Sequence, residues 1–298
     1  MCGIFGAIGK GWNLGTMRAL TLSNENRGGD STGFFDSTGK MIKSAVTASE
    51  ALRQKNISAW LERSEGDTWF CAGHTRLATR GSVNRKNSHP FRYGRIIGAH
   101  NGMVDAPSGY IVDSQYLFDT LSKARGDYNV AWGTVCGYWG ISWSDGEYFY
   151  LQVHNGELHY CYYRGICYYS SSEKHLESCV GYNSEIKALE DGETLRFSQD
   201  GTMEVVTPFK SAAPEFWGKK YGCSNTTNWY DSTKGMRKWK SSSDPYDAGN
   251  DETSSRWAGS KYAEVTSDAK SYDDEWRSAW AEYSGTSEHD YDCNDQGH

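Results

Sequence analysis

Strand-like alternation of apolar residues runs through roughly the first two thirds of the chain and then stops. Residues 4–8, 68–72, 95–99, 137–143, 148–153, 159–163 and 167–170 each alternate apolar and polar positions with period two, the pattern of strands with one face in a core. Two stretches instead place apolar residues at helical spacing: 14–24, and 114–124, where Tyr116, Leu117, Thr120 and Leu121 share a face. Asp191-Gly192 and Asp200-Gly201 flank the short run 194–198, which reads as a closing hairpin. Strands in this number with few helices predict an α+β domain of packed sheets with helices outside.

After about residue 208 the composition turns to Ser, Trp, Tyr, Asp and Lys. We therefore expect one domain over 1–208 and a polar, aromatic-containing tail over 209–298 that is largely disordered, because it holds too little aliphatic surface to offset chain entropy. Charge is segregated within the tail, basic over 219–240 and acidic over 241–298. Its tryptophans, among them Trp217, Trp229 and Trp239, give it the means to dock on a partner.

A formal charge of -7 offers no general attraction to phosphate backbones or anionic lipid, so neither nucleic acid nor membrane is an expected partner. No run approaches the length of a membrane span and the first residues, MCGIFGAIGKG, lack a signal-peptide pattern, so a cytoplasmic location is expected. The eight cysteines are scattered without metal-ligand spacing, and no metal or cofactor is expected; most of them read as reduced core thiols.

Cys2 is the exception. A Cys behind the initiator Met invites removal of Met1, which leaves a free α-amine beside the thiol. The two groups ordinarily titrate near 8 and 8.5, so one residue holds both nucleophile and base. Taken alone it is equally a buried Cys at a strand start. Four further blocks accompany it: Arg27-Gly28-Gly29-Asp30-Ser31-Thr32-Gly33, Gly73-His74-Thr75-Arg76-Leu77-Ala78-Thr79-Arg80-Gly81, His89-Pro90-Phe91 and His100-Asn101-Gly102. With the opening Met-Cys-Gly-Ile-Phe-Gly, their order and spacing resemble the class II glutamine amidotransferase domain of the N-terminal-nucleophile hydrolases. A weaker likeness continues through the Ser-Ser-Glu segment ending at Glu173 and the hairpin over 190–205, and nothing after about 208 shares it.

The resemblance implies a four-layer αββα sandwich of two antiparallel sheets with outer helices, and a glutaminase. Cys2 would attack the glutamine side-chain amide to give a γ-glutamyl thioester, releasing ammonia and then glutamate. Such attack creates an oxyanion that needs donors in place beforehand; the side-chain amide of Asn101 and the backbone N–H of Gly102 supply two, although Asn-Gly is also an ordinary turn dipeptide. Arg76, whose planar fork suits a carboxylate, is the expected anchor for the substrate α-carboxylate, with Thr79 beside it, and Asp113 for its α-ammonium. Arg27 and Asp30 are expected to order the loop around Cys2, and His74 and His100 to be structural supports. Arg80 stands where many members have His, and Gln115 where many have Glu.

The ammonia acceptor would lie on a separate synthase or acceptor protein, since the tail is too short and polar for a second catalytic domain. Two other readings remain at this point: a hydrolase of γ-glutamyl amides or peptides, and an inactive binding module of the same fold. An unfused domain with such a tail would suit a bacteriophage-encoded accessory enzyme.

Overall fold

The computed structural model describes residues 2–181 and 184–206; the expectations for the tail over 209–298 lie outside the described residues. Two antiparallel sheets carry the fold. In the first, β1 (Gly3–Ile8) is central, between β4 (Phe70–Arg76) and β10 (Ile166–Ser170). Beyond β4 come β2 (Ser31–Asp36) and β3 (Met41–Ser44); beyond β10 come β9 (His159–Tyr163) and the two-residue β11 (Lys187–Ala188). The second sheet runs in the order β13 (Met203–Val206), β12 (Thr194–Phe197), β8 (Phe149–His154), β7 (Gly137–Ser144), β6 (Ile96–Val104), β5 (Phe91–Tyr93).

Alternation along β6 shows how the layers stack. Ile97 and Ala99 join a core with Ile4, Ile8, Phe70 and Ala72 of the first sheet and Phe149, Leu151 and Leu195 of the second. Their neighbour Ile96 points the other way, into a cluster with Leu117, Phe118 and Leu121 of α4 (Asp113–Lys123) and Trp132 of α5 (Tyr128–Trp132). One face of β6 thus meets the first sheet and the other meets helices, as period two requires. On the far side, α1 (Leu14–Ser23), α2 (Ala48–Arg53), α3 (Lys55–Asp67) and α6 (Glu173–Val180) form a connected helical layer against the first sheet. The result is the expected αββα sandwich, with two aliphatic and aromatic seams in place of a single core.

The expected strands and the two expected helices are present, displaced by a few residues at their ends. The hairpin after residue 193 is the β12–β13 pair. Among the elements that the sequence pattern does not mark are β2, α2 and α3. β2 holds its apolar residues adjacently, Phe34 and Phe35, both fully buried on opposite faces, so no alternation marks it. Its first residues belong to the Arg27–Gly33 block, whose glycines suggest a turn rather than a strand. In α3, Ile57, Trp60, Leu61 and Ser64 are buried at helical spacing, but only three of the four are apolar, which leaves a short stripe in a polar segment.

Among the described residues no helix is long and apolar enough to cross a membrane. Of the six described cysteines, all free, Cys71, Cys161, Cys167 and Cys179 are buried, as expected of core thiols.

Candidate active site

The site forms where β1 begins and β4 ends, and strand register brings the two together. Gly3 pairs with Thr75, so the next step toward each end sets Cys2 beside Arg76. The backbone N–H of Leu77 donates to the Cys2 Sγ at 3.4 Å, which places the thiol against the chain as it leaves β4. Arg27 donates from Nε to the Cys2 carbonyl at 3.1 Å. Asp30 straps the same chain end twice: its backbone N–H donates to the Arg76 carbonyl at 2.9 Å, and its Oδ2 accepts the Ala78 N–H at 2.6 Å. Arg27 and Asp30 thus make these bonds on either side of Cys2.

Arg76 is 3% exposed, an unusual position for a guanidinium. Its Nη2 donates to the Arg80 carbonyl at 2.5 Å, while Nη1 is buried without a hydrogen-bond partner. An unpaired buried donor on a charged group is costly, and no carboxylate forms an ion pair with it among the described residues; only the fields of Cys2, Asp30 and Asp113 favour its charge against the cost of burial. Ser31, directly opposite Arg76 on β2, likewise keeps a buried hydroxyl with no partner. Sequence reasoning passed over Ser31 because it ends a Gly-rich block.

Burial pushes the Cys2 thiol above its usual range, against the opposing pull of the Leu77 N–H and of Arg76, while Asp113 pushes it further up. Asp113 opens α4, and its two oxygens accept the N–H groups of Val104 at 3.0 Å and Ser114 at 3.0 Å. The acid thus belongs to the site through its field on Cys2 and Arg76, and it also clamps the end of β6. Thr79 stands apart: it lies on the exposed segment after β4 and makes no hydrogen bond among the described residues.

Asn101 shares the inner face of β6 with Ile97 and Ala99, turned toward the first sheet, and its side chain has no hydrogen-bond partner among the described residues. Gly102 has φ +151, and a Cβ there would meet the Tyr138 carbonyl oxygen at 2.1 Å and the Cα of Trp139 at 2.8 Å. Although Asn-Gly is an ordinary turn dipeptide, the pair here lies within β6 and sits on β7 so closely that only glycine fits. Gly102→Ala is expected to lower stability by about 1–3 kcal/mol, read as a drop in melting temperature; an unchanged melt would show that the strand relaxes freely.

Three buried histidines underlie this region. His74 Nε2 lies 3.2 Å from the His100 carbonyl, the His74 and His89 rings pack at a 37° tilt with centroids 4.0 Å apart, and His100 Nδ1 lies 2.9 Å from Ser114 Oγ. Burial, with the neighbouring His100 and Arg76, drives His74 down to about 3 although its bond to the His100 carbonyl works the other way; burial likewise lowers His89 and His100. The unfolded chain protonates these rings near 6.5, so below that pH the unfolded state binds protons that the fold does not. Stability is then full above about pH 6.5 and is lost as the pH falls from there toward about 3. Melting temperatures should be clearly lower at about pH 5 than at about pH 7.5, and a flat profile across that window would contradict a neutral cluster.

Among the described residues no group of three or more His, Cys, Asp or Glu is placed to hold a metal ion. The geometry brings together a nucleophile, a buried cation with an unfilled donor and the field of a carboxylate, with Asn101 on β6.

No family model matches the chain. The chain is similar to the glutamine–fructose-6-phosphate aminotransferase (isomerizing) of Caulobacter vibrioides, with 31% identity over 105 residues that are 35% of this chain and 17% of that protein. The enzyme of the same name from Staphylococcus epidermidis is 32% identical over 139 residues, 44% of this chain and 21% of that protein. The chain therefore spans about a fifth of the length of these curated relatives. In fold it is similar to the glutamine phosphoribosylpyrophosphate amidotransferase of B. subtilis, with a TM-score of 0.56 and 16% identity over 70% of this chain and 49% of that one.

Proposed function

We propose that this chain, which carries a domain of the class II glutamine amidotransferase family, hydrolyses the side-chain amide of glutamine through Cys2. The observation that carries the reading is Arg76: a buried guanidinium with an unpaired Nη1 beside the Cys2 thiol. A substrate with a carboxylate at one end and a reactive amide at the other would fill both needs at once. Glutamine has that shape, and its α-ammonium would find Asp113.

With Met1 removed, the α-amine of Cys2 takes the thiol proton and the thiolate attacks the amide carbon. Burial raises the thiol, so the thiolate forms as the base takes its proton rather than standing ready beforehand. The developing oxyanion is met by the Asn101 side-chain amide and the Gly102 N–H. Collapse of the tetrahedral intermediate breaks the C–N bond, the α-ammonium returns its proton to the leaving nitrogen, and ammonia departs from a γ-glutamyl thioester. Water, deprotonated by the same amine, then releases glutamate. The ammonia passes to an acceptor on a separate protein.

A carboxylate can take Nη1 and the second N–H of Nη2 while the bond from Nη2 to the Arg80 carbonyl stays in place.

The test is to incubate the purified chain with glutamine and with γ-glutamyl peptides, measuring glutamate and ammonia together with the mass of the N-terminal peptide. Glutamate and ammonia in equal amounts, from a protein that begins at Cys2, support the mechanism. A retained Met1 in active protein overturns it. Faster release from γ-glutamyl peptides than from glutamine would move the reading to a γ-glutamyl hydrolase.

A further inference from the structure

The β6 segment that carries the proposed oxyanion donors is gripped from both faces of the second sheet. From the inner face, His74 reaches across from β4 to the carbonyl of His100, the residue that precedes Asn101. A carbonyl only accepts, so the His74 Nε2 bears the proton and donates. From the outer face, the His100 ring bonds Ser114 on α4, and a Cβ on Gly102 would lie 2.9 Å from its Nε2, so the segment rests on that ring.

The His74 ring is itself packed. The His89 ring lies tilted 37° to it with centroids 4.0 Å apart, and the His89 ring meets Phe91 edge-on at 4.7 Å. The segment bearing His89, just before β5, is tied to β3 by Lys43, whose Nζ donates to the carbonyls of Ser88 at 2.7 Å and Pro90 at 3.0 Å. The His89 carbonyl meanwhile lies where a Cβ on Gly33 would be, 2.2 Å away. Together these contacts confine the His74 ring.

We propose that His74 is a positioning residue for the Asn101–Gly102 segment of β6: its Nε2–H, backed by the His89 ring, sets that backbone at a fixed offset from Arg76, which lies two residues further along the same face of β4. The proposal rests on the reading of the Cys2 site as a glutaminase. It gives a role to a buried imidazole that reaches from the first sheet to the second. The charged and titratable groups facing the cluster are Arg76 from β4, Lys43 from β3, His100 from β6 and, on the His100 side, Asp113 from α4. Burial first, and then Arg76 and the neighbouring imidazoles, keep the His74 and His89 rings neutral, so His74 acts as a donor through the working pH range and never as an acid or base.

The experiment compares kcat and KM for glutamine in wild type, His74→Phe and His74→Gln, each checked for folding by its thermal melt. Phe keeps the stacking surface and removes the donor; Gln puts an amide N–H near the Nε2 position. We expect His74→Phe to lower kcat by about 10- to 100-fold, in the direction of losing an oxyanion donor. KM should change by less than about threefold, because Arg76 is held by other bonds, and His74→Gln should recover most of the rate. The pH limbs of kcat should coincide in wild type and His74→Gln.

Where His74→Phe does not fold, His74→Asn, whose amide stops short of the carbonyl, takes its place. A folded donorless variant with unchanged kcat, a Gln variant as slow as Phe, or a shifted pH limb each overturns the proposal alone. Absence of glutamine turnover in the wild type overturns the underlying reading and this inference with it.

Discussion

Cys2→Ala is expected to cut glutamate release by about 10⁴-fold or more while leaving the melting temperature close to that of the wild type. The thiol makes only long contacts with Leu77, 3.4 Å from its N–H and 3.6 Å from its carbonyl, and it is half-buried, so little packing is lost. The rate loss has no such cushion, because the thiolate forms the bond that breaks the amide and the oxyanion donors without it have no intermediate to stabilise. Steady-state release of glutamate, followed with glutamine binding to the Ala variant, separates the two effects: binding should persist while turnover disappears. A variant that turns over at a tenth of the wild-type rate would mean that another group performs the attack. Neither Cys71 nor Cys179 is a candidate substitute, since burial raises both thiols and removes them from the site's surface.

The second large effect is expected at Arg76, and it should appear in KM. Arg76→Lys keeps the charge but loses the planar fork, and the shorter reach of its ammonium contact serves one carboxylate oxygen where two need partners. An increase in KM of about 100- to 1,000-fold is expected, the range for removing one partner of a buried hydrogen-bonded charge pair. kcat at saturating glutamine should fall far less, because the chemistry lies at the other end of the substrate. The Arg80 carbonyl loses its donor in the variant, so the melt is measured alongside. Equal losses in kcat and KM would show that Arg76 acts on the reaction itself, and an unchanged KM would remove the carboxylate anchor from the reading.

Much of the architecture was legible because its signals are local. β1, β7, β8, β9 and β10 announce themselves by period two, and α1 and α4 by helical spacing. β2 was hidden because its apolar residues Phe34 and Phe35 follow one another, each on its own covered face, and no alternation survives. For the site, Cys2, Arg76, Asn101 and Asp113 could be singled out by chemical type and by the blocks around them. His89, Ser31 and Leu77 could not, because what they contribute is a ring plane, an unpaired hydroxyl and a backbone N–H, none of which has a residue signature. Thr79 shows the reverse case, a residue chosen by its place in a block that stands exposed and without a hydrogen bond in the described structure.

By itself, then, the sequence determined the inventory: many of the segments that become strands, where the patterned segments give way to a Ser-, Trp-, Tyr-, Asp- and Lys-rich composition, and which side chains have the chemistry of a nucleophile, cation, amide donor and acid. These follow from periodicity and functional groups, which are properties of short windows. The tertiary structure decided how that inventory is spent. Register between β1 and β4 sets Cys2 beside Arg76 from 74 residues away in the chain. The facing of β6 toward the first sheet aims Asn101 inward, and burial leaves Arg76 with a donor unfilled and three imidazoles uncharged. Pairing across strands and removal of water are long-range effects, and no window of sequence contains them.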